Sequence, residues 1–233
     1  MLGSVSEPFD GYAGSYEEAI EHAIGFAGIE HDLFLAAKAR ALLELATELG
    51  DLPSLKFLDV GCGNGRLDLH LQPHVGEVHG TDVSEGMIAE ARSANPAGVY
   101  THFRGERLSY NDNGFDVAFA VCVFHHVEPV GRPTLVAEMG RVVRPGGMVA
   151  IAEHNPWNPL TRLTVARCEF DEDAQLLRAG AARQLLESSG LTHVRHRYLL
   201  FAPTLAPRWL GIERRLGRLP FGAQYVAAAF RPK

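Results

Sequence analysis

The stretch that decides the fold is Leu58-Asp59-Val60-Gly61-Cys62-Gly63-Asn64-Gly65-Arg66, in which a short apolar run leads into three alternating glycines. Glycine lets the backbone turn sharply and lets a ligand approach where a Cβ would block it. A helical pattern begins at Arg66, so the stretch reads as a strand, a tight loop and a helix. It therefore predicts an α/β protein with a ligand-binding loop at the end of a strand.

The spacing of these glycines disfavours a nicotinamide dinucleotide. In a dinucleotide-binding loop the third glycine falls five residues after the first, whereas Gly61 and Gly65 are four apart. Asp59 also stands two residues before the first glycine. A carboxylate there suits a ligand that carries an ammonium group better than one that carries a phosphate.

Short apolar runs and helical stretches alternate on both sides of this loop. This alternation predicts a mainly parallel sheet with helical crossovers. The predicted strands are Lys56–Val60, Val78–Thr81, Val99–Phe103, Phe115–Val121, Met148–Ala152, Leu191–Phe201 and Gln224–Phe230. The predicted helices are His31–Leu49, Arg66–Leu71, Glu85–Arg92, a helix from Pro133 through Val143, and Ala181–Ser188.

A second carboxylate, Asp82, ends the second predicted strand 23 residues after Asp59. At that place it can accept hydrogen bonds from both hydroxyls of a ribose. Ser84 caps the following helix, and Met87 faces back from its first turn towards an apolar wall that suits an adenine ring. The turn and strand that begin at Arg141-Val142-Val143-Arg144-Pro145-Gly146-Gly147 complete the pattern.

In their order and spacing, these motifs over about residues 55–153 resemble the class I S-adenosylmethionine-dependent methyltransferases, in particular the type 11/12-like subgroup that acts on small molecules. The resemblance implies an α/β fold with a Rossmann-like seven-stranded sheet, its last strand antiparallel, and helices on both faces. It also implies S-adenosylmethionine as the cofactor. Glu106 stands where the family commonly has aspartate.

The resemblance assigns cofactor contacts by position. Those near the methionine end are Asp59, Gly61, Cys62 and Gly63, with Tyr16 and Arg40 closing over its carboxylate. Those near the nucleoside are Asp82 at the ribose, Val83 and Met87 at the base, and Glu106 with Arg107 closing over the adenine. Ala120 and Val121, at the end of the fourth strand, should pass beneath the sulfonium.

The candidate catalytic residues are His125, His126, Glu153 and His154. All four follow or end the fourth and fifth strands, where open α/β sheets hold their ligands. One imidazole, oriented by Glu153, is expected to deprotonate an acceptor hydroxyl. The alternative is that the histidines only pack and hydrogen-bond to the backbone.

We expect one domain over residues 1–233. Residues 1–50 form a lid with Tyr12 and Tyr16 followed by a helix, 55–153 the cofactor-binding core, 154–180 a cap, and 181–233 the C-terminal helix and strands. In the cap, Trp157 is expected to form an apolar wall. The acidic cluster at residues 169–173 is expected to lie in water.

Composition and charge disfavour several kinds of binding partner. The formal net charge of −6 disfavours nucleic acid, and no apolar run is long enough to span a bilayer. The three cysteines, Cys62, Cys122 and Cys168, lack the spacing of a zinc site or a disulfide framework, so we expect free thiols in the cytoplasm and no metal. A homodimer is a further possibility.

The sequence therefore predicts methyl transfer from S-adenosylmethionine to a small-molecule acceptor, and we expect a hydroxyl oxygen as the acceptor atom and a role in secondary metabolism. Nitrogen and carbon acceptors remain open. The rival classes are a protein that binds the cofactor without turnover and a nicotinamide-dependent dehydrogenase.

Overall fold

The computed structural model describes residues 31–104, 107–168, 171, 173–202 and 204–233. Helices and strands alternate along most of this part of the chain. The strands are β1 Lys56–Val60, β2 Glu77–Asp82, β3 Val99–His102, β4 Phe115–Val121, β5 Val143–His154, β6 Thr192–Leu199 and β7 Gln224–Phe230. The α-helices of the described residues are α1 His31–Ala46, α2 Arg66–Leu71, α3 Glu85–Ala94, α4 Arg132–Val142, α5 Pro159–Val165, α6 Ala179–Ser188 and α7 Pro207–Leu216.

The seven strands form one sheet in the order β3-β2-β1-β4-β5-β7-β6. The first five strands run parallel to one another, and β7 is antiparallel to both β5 and β6. The strand order reverses direction between β1 and β4, so the loops after these two strands flank the crevice where such sheets bind ligands. The predicted Rossmann-like sheet with an antiparallel last strand is confirmed.

Alternation along the strands divides the core between the two faces of the sheet. In β1, Leu58 and Val60 pack with α4 and α6 on one face, while Phe57 packs with α1 and α2 on the other. In β4, Ala118 lies on the face packed by α4 and α6, and Phe119 lies on the face packed by α1 and α2. Two apolar layers therefore fix the sheet and leave its carboxyl edge for polar side chains.

Three segments differ most from the sequence prediction. Strand β5 is longer than expected at both ends, because Val143 pairs with Phe115 of β4 and His154 pairs with Gln224 of β7. Helix α5 was not predicted; it begins after Asn158, whose side-chain oxygen accepts hydrogen bonds from the amides of Leu160 and Thr161. The basic stretch near the C-terminus is also helical and forms α7.

Within the described residues, no helix combines the length and the apolar character that crossing a bilayer demands. The predicted lid residues Tyr12 and Tyr16 lie outside the described part of the chain, as does Glu106.

Candidate functional site

The glycine loop, residues 61–65, joins β1 to α2 and is tied to β2 by a 2.7 Å hydrogen bond from the Gly61 amide to the Thr81 carbonyl. A Cβ at Gly61 would lie 2.4 Å from a methyl carbon of Val123, so a side chain does not fit there. Gly63 also has a positive φ, of 52°, but no atom of the described residues lies within 4 Å of the place that its Cβ would occupy. The loop therefore packs tightly against the β4 end at Gly61 and faces open space at Gly63.

Asp59, in β1 just before the loop, is buried at 2% exposure beside a second carboxyl, Asp68 of α2. Burial and the neighbouring Asp68 and Asp82 raise the pKa of Asp59 well above its usual range. Burial also raises the pKa of Asp68, to about 7, although Tyr100 donates a 3.0 Å hydrogen bond to that side chain. Oδ1 of Asp59 and Oδ1 of Asp68 both lack a donor among the described residues, and the two carboxyls share a side-chain hydrogen bond. An ammonium donor brought to this pair would satisfy a buried acceptor.

Lys38 of α1 is 4% exposed and lies over the same strand ends. Its Nζ is 3.7 Å from Sγ of Cys122, the residue that follows β4. Burial alone would raise the pKa of the Cys122 thiol, but the Lys38 ammonium and His154 outweigh it and bring that pKa to about 7. Lys38 was not among the predicted site residues, although its spacing from Leu35 and Leu42 places it on the buried face of the helix.

Arg40, the cation expected at the cofactor carboxylate, lies elsewhere. Its guanidinium is 3.6 Å from Glu213 and 3.9 Å from Glu44, on the side of α1 that faces β6 and α7. Two residues along a helix turn the side chain by about 200°, so Lys38 and Arg40 point to opposite sides. The structure therefore corrects this expectation: of the two cations, Lys38 is the one at the strand ends.

Asp82 ends β2 and is held by two backbone amides. The Gly63 amide donates to Oδ2 and the Ser84 amide to Oδ1, both at 2.9 Å. Ser84 caps α3, as expected, by accepting a hydrogen bond from the Met87 amide. Val83 is half-buried, whereas Met87 is buried beneath the first turn of the helix.

The remaining expected cofactor contacts differ in exposure. The Arg107 side chain is 72% exposed and 3.9 Å from Asp112. Ala120 is buried within the core, and Val121 is half-buried at the end of β4. Cys62 is buried in the glycine loop, and burial raises its thiol pKa.

The histidine cluster, defined here as His125, His126, His154, Glu153 and Asp171, lies at the ends of β4 and β5. Nδ1 of His125 is 2.6 Å from a Glu153 carboxylate oxygen, and the other Glu153 oxygen accepts a 2.7 Å hydrogen bond from the Phe124 amide. The ring centroids of His125 and His126 are 4.0 Å apart, and those of His125 and His154 are 5.2 Å apart. The structure thus brings all four candidate catalytic residues together.

The members of this cluster differ in charge and access. Burial opposes the charge on His125, but Glu153 and Asp171 outweigh burial and hold the pKa of His125 well above its usual value. Burial lowers the pKa of His126, even though Asp171 partly offsets this. The His125 side chain is 1% exposed and that of His126 is 15% exposed.

Asp171 corrects the expectation of a solvated acidic cluster. It is 8% exposed, and its Oδ1 lies 3.3 Å from Nε2 of both His125 and His126. Asp173 is exposed, as expected, and residues 169, 170 and 172 lie outside the described part of the chain. No periodicity in the sequence distinguishes Asp171 from its acidic neighbours, so only the folded chain reveals its position.

Trp157 does not form an apolar wall. It is 62% exposed, and its ring contacts the guanidinium of Arg178 at 5.0 Å. The turn before α5 directs this side chain outwards, because Asn155 and Asn158 hydrogen-bond to the backbone at residues 220–222.

Comparison with known proteins agrees with this geometry. The family model described as a methyltransferase domain matches residues 58–151. An uncharacterized methyltransferase of Synechocystis is 28% identical over 61% of this chain, and the ubiquinone biosynthesis O-methyltransferase of Azorhizobium caulinodans is 34% identical over 54% of it. The matches span 69% and 50% of those two relatives. A solved S-adenosylmethionine-dependent methyltransferase of Thermotoga maritima, described as a possible histamine N-methyltransferase, superposes with a TM-score of 0.66 at 19% identity, covering 99% of this chain and 100% of that one.

The fold, the glycine loop and the family match together indicate a transferase with a Rossmann-like sheet, which takes the transferred group from a nucleoside cofactor. Residues 58–151 match the methyltransferase-domain family, and the fold is that of solved S-adenosylmethionine-dependent methyltransferases. S-adenosylmethionine is therefore its cofactor. The residues present fit this group, because the buried carboxyl pair of Asp59 and Asp68 and the space beside Gly63 that the described residues leave open adjoin the same loop.

Proposed function

We propose that this chain transfers the methyl group of S-adenosylmethionine to an oxygen of a small-molecule acceptor. One observation carries the proposal: the glycine loop and the histidine cluster share the end of β4. Gly61 lies against Val123, and His125 follows two residues later. Cofactor-binding and acceptor-facing groups are thus contiguous, as a direct transfer between two bound molecules requires.

At the cofactor end, each charged group has a matching partner. The Lys38 ammonium suits the methionine carboxylate, and the orphaned oxygen of Asp59 suits the methionine ammonium. Asp82, fixed by the amides of Gly63 and Ser84, retains lone pairs for the ribose hydroxyls. When bound, the cofactor supplies a methyl group already activated by its sulfonium.

At the acceptor end, His126 is the proposed proton acceptor. Its side chain is partly exposed, whereas His125 is enclosed between Glu153 and Asp171. His125 and Glu153 act as positioning residues that fix the rings and the backbone after β4. The cluster orients the acceptor hydroxyl towards the methyl group and removes its proton as the new bond forms.

Two observations support a small acceptor and an oxygen atom. The net charge of −6 is unsuited to a phosphate backbone. Several relatives are O-methyltransferases by name, among them the ubiquinone biosynthesis O-methyltransferase of Azorhizobium caulinodans. A histidine cluster suits a hydroxyl that must lose its proton better than an acceptor that needs no base.

The first test is calorimetric titration of the full chain with S-adenosylmethionine, S-adenosylhomocysteine and NAD. We expect the first two to bind and NAD not to bind. Binding of NAD in place of the nucleosides would contradict the proposal and favour a dehydrogenase.

The second test supplies labelled cofactor with a panel of phenols, hydroxy acids and amines. We expect label in an oxygen-linked methyl product. Replacement of His126 by asparagine should lower kcat by about 10²- to 10⁴-fold with the cofactor Kd unchanged. The matched control is His74→Asn on the exposed surface. Label only in amine products, or cofactor binding with no turnover on any acceptor, would contradict the oxygen assignment.

A further inference from the structure

Three side chains from separate segments converge at the carboxyl edge of the sheet. His125 follows β4, His154 ends β5, and Asp171 lies in the segment after α5. One ligand atom from each of the three lies within 4.8 Å of the other two. Because the three side chains are distant in sequence, no short spacing motif predicts that they come together.

The distances around Asp171 are long for hydrogen bonds to a carboxylate. Charge-assisted N–H to oxygen bonds are typically about 2.7–2.9 Å long. Nε2 of both His125 and His126 lies 3.3 Å from the same Asp171 oxygen. In a tetrahedral site with bonds of about 2.0 Å, neighbouring ligand atoms are about 3.3 Å apart. The 3.3 Å between His125 and Asp171 therefore equals the spacing of two ligands on one metal ion, and His154 offers a ligand atom within 4.8 Å of both.

The opposite nitrogen of His125 has the partner that a metal-bound histidine needs. Nδ1 is 2.6 Å from Glu153, which is itself buried and anchored by the Phe124 amide. A carboxylate on the far nitrogen fixes the ring and directs the other nitrogen to the ion. Glu153 thus fixes the direction in which Nε2 of His125 points.

The segment that carries Asp171 is fastened to the rest of the cluster. The Gln175 amide donates a 2.8 Å hydrogen bond to the His125 carbonyl. The buried Arg132 guanidinium donates to the carbonyls of both Gln175 and Val127. The backbone near Asp171 and the backbone near His125 therefore hold each other in place before any ion arrives.

We infer that His125, His154 and Asp171 form a binding site for a divalent transition-metal ion such as Zn²⁺. Two imidazoles and one carboxylate are the donors that such ions prefer, and three protein ligands leave a position open. His154 is half-buried, so an ion can reach the site from solvent. Metal binding does not depend on the proposed function. Only the idea that the open position holds an acceptor oxygen rests on the proposed function.

The test is equilibrium dialysis of the full, metal-free chain against Zn²⁺, with Co²⁺ as a spectroscopic probe. We expect one ion per chain and, for Co²⁺, visible absorption of a low-coordinate nitrogen and oxygen site. The variants Asp171→Asn and His154→Asn should each weaken binding by at least 10-fold. Glu153→Gln should weaken it by about 10- to 100-fold through loss of the partner of His125.

Three controls keep the result interpretable. His74→Asn removes an exposed imidazole and should leave the affinity unchanged. Cys122→Ser tests the thiol beside His154 and should also leave the affinity unchanged. Circular dichroism and cofactor titration of each variant report folding, and His154, being half-buried, is replaceable at small cost to the fold.

Two results would overturn the site. One is the absence of stoichiometric Zn²⁺ from the unaltered chain. The other is a Zn²⁺ affinity that falls in Cys122→Ser and not in Asp171→Asn, since the ion would then sit on the thiol. Neither result bears on cofactor binding or methyl transfer, which are measured separately.

Discussion

Lys38 is the one charged residue on the buried face of α1, which is otherwise lined by alanine and leucine. A buried ammonium loses much of its hydration, and that loss is offset only by a charged or strongly polar partner. The thiol of Cys122 at 3.7 Å and the carboxyl of Asp59 form part of its surroundings. The carboxylate of the cofactor would complete them. Replacement of Lys38 therefore tests the proposed position of the cofactor most directly.

We expect Lys38→Met to weaken binding of S-adenosylmethionine by about 10- to 100-fold, or about 1.4–2.8 kcal/mol. The methionine side chain keeps most of the buried volume and removes the charge. Arg40→Met, two residues along the same helix, is the matched control and should change the Kd by less than about 3-fold. The measurement is calorimetric titration of both variants. Equal losses in the two variants would show that the helix, and not the Lys38 charge, carries the effect.

At the scale of elements, the glycine loop illustrates two different uses of glycine. At Gly61 the β4 end leaves no room for a Cβ, whereas at Gly63 the space is open and the amide is bonded to Asp82. Both residues have positive φ. The loop thus brings the chain close to its own β4 segment on one side and leaves room for a ligand on the other.

Gly63→Ala should separate ligand fit from backbone strain. An alanine with positive φ costs about 1 kcal/mol of stability wherever it stands. Gly190, with a φ of 81° and likewise no atom near its absent Cβ, is the matched control. We expect both variants to lose similar stability in chemical denaturation. Only Gly63→Ala should lose cofactor affinity, by at least 10-fold, and an unchanged Kd would remove the ligand from this side of the loop.

At the scale of the whole molecule, the buried carboxyl pair couples stability to pH. Burial raises the pKa values of Asp59 and Asp68, the latter to about 7. The native state therefore binds more protons than the unfolded chain between about pH 4, the ordinary aspartate value, and pH 7. Stability that depends on these protons is present below about pH 4 and is lost as the pH rises through 7.

Asp68→Asn should make this loss shallower. The amide keeps an acceptor for Tyr100 and removes one titrating group, so only Asp59 continues to lose its proton. From pH 4.5 to 7.5 the free energy of unfolding of the unaltered chain should fall relative to that of the variant, by up to about 1.4 kcal/mol per pH unit. Burial lowers the pKa of His31 to about 3, which acts in the opposite sense in both proteins and cancels in the comparison. Parallel stability curves from urea titrations would contradict the prediction.

Local patterns were sufficient for most of the sheet. The strands Lys56–Val60, Phe115–Val121 and Gln224–Phe230 begin and end where the sequence predicts. Each is a short, mainly apolar run with glycine or a charged residue directly beyond one end, so local chemistry helps to set its limits. Helix α5 was missed because its start depends on the capping of Asn158, whose side chain also bonds to the distant Phe221 carbonyl.

The site residues likewise fall into those that local sequence patterns predicted and those whose position depends on the folded chain. Asp59, Asp82 and the glycines stand at fixed distances along one continuous pattern, and their positions at the strand ends follow from the order of strands and helices. The gathering of His125, His126, Glu153 and His154 was predicted for the same reason. The exchange of Lys38 for Arg40 depends on how α1 is rotated against the sheet, which the sequence pattern left undecided.

By itself, the sequence determined the sheet, the glycine loop and the two acidic positions, because periodicity, turn chemistry and spacing act over a few residues at a time. Only the tertiary structure decided that Asp171, alone among the described acidic residues of its segment, is buried beside two histidines. It also decided that Lys38 lies over the strand ends and that Trp157 faces outwards. Each of those outcomes depends on contacts between segments far apart in the chain. The free energy of burying or pairing a charge is set by such neighbours, and the residue's place in the sequence does not reveal them.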